Sequence, residues 1–356
     1  MIAQGNASVM QTDEGQHTNR KERESDLQFP RVLLVGYNGA NNTGSEARLL
    51  EIIRDVKDVL GPEARISVPT LNQNNLRRYL EENDRLRIVP ISPIYMLDLR
   101  RMVRSHDLIM LVEGSCYMDT WTPALLKAFL RVTSCASSSG KPCLAYAVDA
   151  GTLSPLNKER VRMDASKTDL IVTRTLAAAE RLRGWGVTAP IEVTADSAFT
   201  FHLEDWDHGL LASIWPESGP KVMGISVVNF HLWPVVLRPY GRKRLCYRWP
   251  YYHSYSRARG KATIELARSL AREADRAVEE HDMAVALIAM EGLDEPLAIQ
   301  VRESMRNRER ARVFSSNRYN ASEMASLLRD LDLLITSRYH ASVLSLAAGV
   351  PQLAIG

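Results

Sequence analysis

The sequence predicts an α/β protein with two Rossmann-like domains, and two observations carry this prediction. Short apolar runs of strand length alternate with helical stretches, and they lie at 31–36, 107–112, 143–148, 169–173 and 191–195. The alternation stops in a segment rich in Pro, Gly and acid and then resumes at 222–228, 283–290, 311–315 and 331–336. Continuous apolar strands separated by helices are typical of parallel sheets that are buried on both faces. We therefore expect an N-terminal domain at 30–203, a linker at 204–220 and a C-terminal domain at 221–356.

The helices between these strands are predicted from apolar residues at helical spacing. After the first strand, such a pattern runs from Ser45 to a stop signal at Gly61. The strongest amphipathic pattern in the second half covers 263–281. The remaining helices of the first half are predicted near 121–139, 157–167 and 174–184.

The two ends of the chain depart from the alternating pattern. Residues 1–29 are polar and mixed in charge, which predicts a disordered tail. The last apolar run, "PQLAIG", has no helix after it, although an α/β domain normally covers such a strand. We therefore expect either a truncated chain or an unusually small second domain.

Composition describes an ordinary globular protein. The chain has 356 residues, of which 45% are hydrophobic and 24% charged, and its net charge of +3 indicates no class of partner. Its four cysteines form no CxxC pair, so we expect reduced thiols in a cytoplasmic protein. The first 29 residues lack the apolar core of a secretory signal, and no apolar run reaches the roughly 18 residues that a membrane span needs.

A glycine- and asparagine-rich loop, "GYNGANNTGSEA" at 36–47, follows the first strand. Ligands of open parallel sheets bind at the carboxyl ends of strands, where helix N-termini offer free amides to anions. The glycine spacing is not GxGxxG, and Ser45 and Glu46 occupy the places where a Walker A loop has Lys and Ser or Thr. Gly39, Asn42, Gly44 and Ser45 are therefore candidates for ligand contact, and a glycine-rich turn without a ligand is the alternative.

A second loop, "VEGSCYMD", follows the strand at 107–112. Its candidate residues are Glu113, Gly114, Ser115 and Asp119. A carboxyl group at a cleft edge can act as general acid or base if burial raises its pKa. The alternative for each acid is a helix-capping or surface role.

The third loop lies in "TSRYHASVLSLAAGVP", at 336–351. Ser337 can cap a helix that begins near Arg338 or Tyr339. Arg338 presents a planar fork suited to carboxylate or phosphate, and His340 lies in the first turn, where the helix dipole favours an anion. The alternative is an arginine in an ordinary ion pair and a histidine hydrogen-bonded in the core.

One further segment, 229–262, is dense in Arg, Lys, Tyr and Trp. It lies between the first strand and first helix of the second domain, so we expect a long loop on the side of the cleft. Such a loop can stack on sugars, bind a phosphorylated carrier or contact an anionic membrane surface, or it can simply pack on itself. Nucleic acid is not expected, because the chain lacks a broader basic field.

Taken in order, these stretches resemble the polysaccharide pyruvyl transferase family. "GYNGANNTGSE" is similar to the family's first loop, with Asn42, Gly44 and Glu46 in register, and "EGSCYMD" resembles its mid-chain glycine-rich turn. Arg174, with "AAERLRGWGV" after it, and Asp196 in "VTADSAF" match two further motifs. The R-x-H segment with the following small-residue helix and G-V-P matches "SRYHASVLSLAAGVP". The resemblance covers about 31–356.

The resemblance implies two Rossmann-like domains in a GT-B-like arrangement and transfer of the pyruvyl group of phosphoenolpyruvate to a sugar, forming a cyclic ketal. The acceptor would be a precursor of a cell-surface polysaccharide or exopolysaccharide, carried in some cases on a lipid. Arg338 would bind the donor anion, and His340 would bind phosphate or act as acid. Glu46, Asp119 and Asp196 would position the acceptor or act as base. No metal and no cofactor beyond the donor phosphoenolpyruvate is expected.

Two departures from the family pattern keep other functions open. Ser45 replaces the acid that is usual in the first loop, and "EGS" replaces a run of glycines at 113–115. One alternative is a GT-B glycosyltransferase that uses a nucleotide-sugar. The other is a non-catalytic saccharide-binding relative.

Overall fold

The computed structural model describes residues 29–203, 209–254 and 256–355 of the chain. Its first sheet contains seven parallel strands in the order β3-β2-β1-β4-β5-β6-β7. These strands are β1 (Arg31–Val35), β2 (Arg65–Thr70), β3 (Leu86–Pro90), β4 (Leu108–Leu111), β5 (Cys143–Val148), β6 (Leu170–Thr173) and β7 (Ile191–Val193).

Two further sheets lie in the second half of the described chain. The larger is parallel, with strand order β13-β12-β8-β14-β15, and the smaller is antiparallel, with order β10-β11-β9. Their strands are β8 (Val222–Ser226), β9 (Val235–Leu237), β10 (Cys246–Arg248), β11 (Tyr251–His253), β12 (Ala284–Ala289), β13 (Ala311–Ser315), β14 (Leu333–Thr336) and β15 (Gln352–Ala354).

Helices connect the parallel strands, and several of them begin at a polar N-cap residue. The helices are α1 (Thr43–Leu60), α2 (Gln73–Leu76), α3 (Met96–Ser105), α4 (Pro123–Ser138), α5 (Pro155–Ala165), α6 (Leu176–Gly184), α7 (Leu210–Ile214), α8 (Arg257–His281), α9 (Glu295–Ser304), α10 (Ala321–Arg329) and α11 (Tyr339–Leu346). Asn42, Thr122 and Thr175 each accept a hydrogen bond from a backbone N–H in the first turn of their helix, as N-cap residues do. Of the helices in the described ranges, none combines the length and apolar composition that a bilayer crossing requires.

Each parallel sheet is covered on both faces. Along β1, Leu33 and Val35 pack into one hydrophobic cluster while Val32 and Leu34 pack into another. Along β12, the side chains alternate in the same way between two other clusters. This alternation follows from the two-residue period of a strand and explains why the strands appear in the sequence as continuous apolar runs. The prediction of an α/β protein with two parallel sheets is confirmed.

Several local predictions were wrong. Strands β2 and β3 were not predicted, and the segment 229–262 is not a loop, because it contains the small antiparallel sheet and the first residues of α8. Helix α8 begins at Arg257 rather than at Thr263, and α6 begins at Leu176 rather than at Arg174.

The predicted tail and linker are only partly within the described residues. Residues 1–28 and 204–208 lie outside them. The rest of the predicted linker contains helix α7 and a 3-10 turn at Pro216–Ser218, and Leu211 and Trp215 are buried in a hydrophobic cluster of the second half. This part of the chain is therefore folded structure.

Backbone hydrogen bonds join the two halves near the start of α1. Thr43 N donates to Met290 O at 2.8 Å, and Gly292 N donates to Asn41 O at 3.3 Å. The loop after β1 is thereby held against the loop after β12. Both loops leave the carboxyl ends of parallel strands, which is where such sheets place their ligands.

Candidate active site

A cavity of about 540 Å³ lies between the two halves of the molecule. Its walls come from the loops after β1, β4 and β6, from the start of α11 and from the small antiparallel sheet. The residues predicted from the sequence that line it are Gly39, Asn42, Gly44, Ser45, Glu113, Gly114, Ser115, Arg174, Ser337, Arg338 and His340. The fold thus brings all three predicted loops to one cavity.

Glu46, Asp119 and Asp196 do not line this cavity. The Asp119 carboxylate accepts hydrogen bonds from Ser154 N at 3.2 Å and Asn157 Nδ2 at 2.7 Å, so it caps the start of α5. These contacts match the helix-capping alternative for Asp119 and place its carboxylate away from the cavity lining. Glu46 is buried and accepts from Asn75 Nδ2 at 2.8 Å, and burial raises its pKa to about 7.

Asp196 lies directly beneath the cavity and joins three side chains from different elements. Its carboxylate oxygens lie 3.3 Å from Arg48 Nε, 2.8 Å from Arg174 Nη1 and 3.5 Å from His340 Nε2. Burial alone would raise the pKa of Asp196, but the surrounding Arg48, His340 and Arg174 outweigh burial and hold it well below its usual value. Asp196 is therefore an anion outside the cavity lining that orients two lining residues, Arg174 and His340.

His340 is packed tightly between the two halves. Burial lowers its pKa, with Asp196 opposing that shift, so the neutral imidazole is favoured at neutral pH. The ring lies against Gly44: a Cβ built on Gly44 would stand 2.1 Å from His340 Nδ1 and 2.5 Å from His340 Cβ. Only glycine at position 44 allows α1 and α11 to approach this closely.

Arg338 is a mostly buried cation, with 13% of its side chain exposed, and two carboxylates share it. Its Nη2 donates to Glu291 Oε2 at 3.1 Å and to Asp294 Oδ1 at 2.6 Å. Burial raises the pKa of both carboxyls, and Arg338 opposes that shift. Arg338 Nε is also buried and has no hydrogen-bond partner among the described residues. The two carboxylates thus neutralise the guanidinium at Nη2, while the N–H of Nε remains available as a donor.

Ser337 does not cap the following helix, which corrects that prediction. Arg338 occupies the N-cap position of α11 and makes no side-chain capping bond. The Ser337 hydroxyl instead accepts from Val228 N at 3.0 Å, which ties the loop after β14 to the loop after β8.

The "EGS" turn supports the cavity wall. The Glu113 carboxylate accepts from Tyr37 N at 3.1 Å and from Ser115 N at 3.3 Å, so it joins the loops after β1 and β4. A Cβ on Gly114 would stand 2.6 Å from Arg174 Nη1 and 3.1 Å from Arg48 Nη1. The guanidinium groups of Arg48 and Arg174 therefore approach the backbone of this turn at Gly114, where a side chain would collide with them.

Sequence reasoning missed four residues of this region. Arg48 is fully buried in α1, and its Nη2 donates to Ala147 O at 2.7 Å. Glu291 and Asp294 follow β12 directly, so the rule that ligands lie at carboxyl ends of strands would have found them. Tyr37, whose hydroxyl contacts that of Tyr247 across the cavity, has a pKa raised by burial. For Arg48 the sequence offers no signal, because an arginine in a helix normally predicts a solvent-facing position.

Another part of the cavity wall is aromatic. Trp121 stacks on Phe230 with ring centroids 6.0 Å apart and an interplanar angle of 15°, and it meets Trp233 edge-on at 5.0 Å. Val235 N donates to Trp121 O at 2.8 Å, so the small sheet is fixed to the start of α4. The cavity therefore combines a charged face with an aromatic one, an arrangement suited to an anionic ligand beside a ring-shaped apolar one.

Solved structures show the same overall architecture at low sequence identity. A putative UDP-N-acetylglucosamine 2-epimerase from Listeria monocytogenes is 13% identical, with a TM-score of 0.57, over 92% of this chain and 79% of that one. UDP-GlcNAc 2-epimerase from Neisseria meningitidis, bound to UDP-GlcNAc, is 9% identical, with a TM-score of 0.58, over 91% of this chain and 82% of that one. At this identity the likeness concerns the fold alone, which is two Rossmann-like domains in a GT-B-like arrangement.

Sequence comparison identifies the family. The amylovoran biosynthesis protein AmsJ of Erwinia amylovora is 24% identical over 277 residues, which are 74% of this chain. The chain spans about 60% of the length of that relative. The family model described as polysaccharide pyruvyl transferase matches residues 42–356, from the first cavity loop to the last strand. The chain therefore belongs to the polysaccharide pyruvyl transferase family.

Proposed function

We propose that this protein transfers the pyruvyl group of phosphoenolpyruvate to a sugar of a cell-surface polysaccharide or exopolysaccharide precursor and forms a pyruvate ketal. Membership of the family supports this class of reaction. The observation that carries the proposal is the mostly buried guanidinium of Arg338. Its buried Nε has no hydrogen-bond partner among the described residues, and Arg338 lines the cavity together with His340 at the start of a helix. Such a group suits a small, densely charged anion.

The donor would lie on the charged face of the cavity. Its carboxylate and phosphate would meet Arg338, Arg174 and the first amides of α11, which have no partner within their own helix. Because Glu291 and Asp294 already face Arg338, the donor would share this cation with them. The raised pKa of Glu291 lets it take up a proton and so reduces the repulsion between the donor and the buried carboxylates.

The chemistry begins with a proton delivered to C3 of phosphoenolpyruvate, which becomes the methyl group and leaves an oxocarbenium-like C2. One sugar hydroxyl adds to C2, the C2–O bond to phosphate breaks, and inorganic phosphate leaves. The second hydroxyl then closes the ketal, and the two hydroxyl protons replace the proton spent on C3 and protonate the phosphate. We assign the first proton transfer to His340, whose pKa a bound dianion would raise, with Glu291 as the competing group.

The acceptor would lie on the aromatic face. Trp121, Phe230 and Trp233 present ring faces and edges to the cavity, and sugar rings pack on such surfaces with their apolar faces.

The test is acceptor-dependent release of phosphate from phosphoenolpyruvate, measured with a panel of lipid-linked saccharides. His340→Gln and Arg338→Lys should each lower kcat/KM by about 100-fold or more. Their matched controls are His281→Gln and Arg268→Lys, which change exposed residues of α8 and should leave the rate unaltered. Turnover of a nucleotide-sugar in place of phosphoenolpyruvate would replace the proposal with a glycosyltransferase. Donor binding without turnover across the panel would indicate a non-catalytic saccharide-binding relative.

A further inference from the structure

The small antiparallel sheet carries an unusual charge pattern. Five of the eleven residues from Arg238 to Arg248 are Arg or Lys. No Asp or Glu occurs between Glu217 and Glu265, so no acid in this stretch of sequence offsets them. The net charge of the whole chain is only +3, and the positive charge is therefore concentrated here rather than spread over the molecule.

Large apolar side chains are exposed among these cations. Leu237 is 67% exposed, Tyr240 83% and Trp249 57%. Trp249 Nε1 donates to Pro239 O at 3.3 Å, and Arg238 N donates to Pro250 O at 2.9 Å, so the turn after β9 and the turn after β10 lie side by side. We call this end of the sheet, residues 237–249, the basic aromatic tip.

The tip continues onto a second apolar surface. Tyr251 Oη donates to Pro93 O at 3.3 Å, which places β11 against the segment that leads into α3. Ile94 in this segment and Leu97 in the first turn of α3 are exposed, and Arg100 and Arg101 on the next turn of α3 are exposed as well. The basic aromatic tip and the start of α3 thus both combine exposed apolar side chains with arginine, and Tyr251 joins the two regions.

We propose that the basic aromatic tip docks on an anionic lipid surface. Trp and Tyr favour the interface between lipid and water, and Lys and Arg are attracted by anionic headgroups. The charge concentration favours an anionic partner, and the exposed Leu, Ile and Trp favour one with an apolar interior over a soluble polyanion. A membrane surface offers both an anionic headgroup layer and an apolar interior.

The tip lies at the mouth of the cavity. Arg248 and Tyr251 line the cavity, whereas Trp249 between them is exposed outside it. Docking at the tip would bring the cavity close to the headgroups and would present the aromatic wall to an acceptor held on a lipid. The link to such an acceptor depends on the proposed function, but lipid binding by the tip does not.

Sedimentation of the full chain with vesicles tests the proposal without measuring turnover. The vesicles are phosphatidylcholine alone or phosphatidylcholine with phosphatidylglycerol. We expect binding only to the vesicles that contain phosphatidylglycerol, because each Lys or Arg near an anionic surface raises the affinity by about fivefold. Added salt should weaken this binding, because it screens the attraction between the cations and the headgroups. Arg242→Glu with Lys243→Glu should lower binding at least about 25-fold, and Trp249→Ser should lower it at unchanged salt dependence.

Matched controls on α8 and α9 separate the tip from bulk charge and hydrophobicity. Arg268→Glu with Arg272→Glu makes the same change in net charge on exposed residues, and Ile299→Ser removes an exposed apolar side chain elsewhere. Both should bind vesicles like the parent chain. The proposal is overturned if the parent chain ignores phosphatidylglycerol, if the controls lose as much binding as the tip variants, or if a soluble anionic polysaccharide binds the tip while vesicles do not.

Discussion

Replacing Gly44 by alanine would drive a methyl group into His340. The new Cβ would stand 2.1 Å from His340 Nδ1, 2.2 Å from its Cγ and 2.5 Å from its Cβ. Rotating the imidazole can relieve the first two contacts but not the third, because the His340 Cβ is fixed to the backbone of α11. The start of α1 and the start of α11 must therefore move apart.

The size of this movement sets the expected effect. Bringing the 2.5 Å contact to an ordinary separation requires a shift of about 1 Å between elements of the two halves. Overpacking of this kind costs about 1–3 kcal/mol of unfolding free energy, and a misplacement of about 1 Å at reacting groups costs about 100-fold in rate. Gly44→Ala should therefore lower both stability and kcat/KM for phosphate release.

Urea unfolding and the phosphate-release assay measure the two effects separately. Gly184→Ala is the matched control, because Gly184 ends α6 and does not line the cavity, and a methyl group there would meet no atom within 4 Å. The control should be neutral or slightly stabilised. Parent-like stability and rate in Gly44→Ala would refute the close packing of α1 on His340. Lowered stability with an unchanged rate would support the close packing of α1 on His340 but would contradict a role for His340 in the reaction.

Two further predictions concern buried charges beneath the cavity. Arg48→Met leaves the buried Asp196 with fewer cations and should lower the free energy of unfolding by about 3 kcal/mol in urea at pH 7; an unchanged value would show that Arg174 alone neutralises Asp196. Glu46 has its pKa raised to about 7 in the folded protein, so the folded state holds the proton more tightly and stability is lost as pH rises from about 4.5 to 7. Glu46→Gln removes this loss and should gain about 3 kcal/mol over the parent chain above pH 7, with little difference at low pH. Equal pH slopes for the two proteins would contradict a buried, proton-binding Glu46.

Much of the fold could be predicted because both parallel sheets bury their strands on two faces and so leave continuous apolar runs. Strand β3 was missed because it lies at the edge of its sheet and carries the exposed Arg87 within a short run. Strand β2 alternates apolar and polar residues and ends near a proline, which weakens its signal. The strands of the small sheet have three residues each, too few for periodicity to distinguish them from a loop.

The candidate site could be predicted only to the level of its loops. The rule that ligands bind at the carboxyl ends of parallel strands predicts that Gly44, Glu113 and Arg338 lie near a ligand site, and all three line the cavity. The rule succeeds here because it depends on topology rather than on side-chain detail. It could not separate Asp119, which hydrogen-bonds at the start of α5, from Asp196, which lies beneath the cavity. That difference depends on pairs of residues far apart in the chain, and only the folded structure brings them together.

The central proposal is pyruvyl transfer, and the identity of the product tests it most directly. Phosphoenolpyruvate labelled with ¹³C in its three carbons would be incubated with the protein and a lipid-linked saccharide, and the saccharide would be analysed by mass spectrometry and ¹³C NMR. We predict that all three labelled carbons appear in the saccharide as a ketal with a methyl group, with one phosphate released for each ketal formed. Release of labelled pyruvate and phosphate with an unmodified saccharide would contradict the proposal.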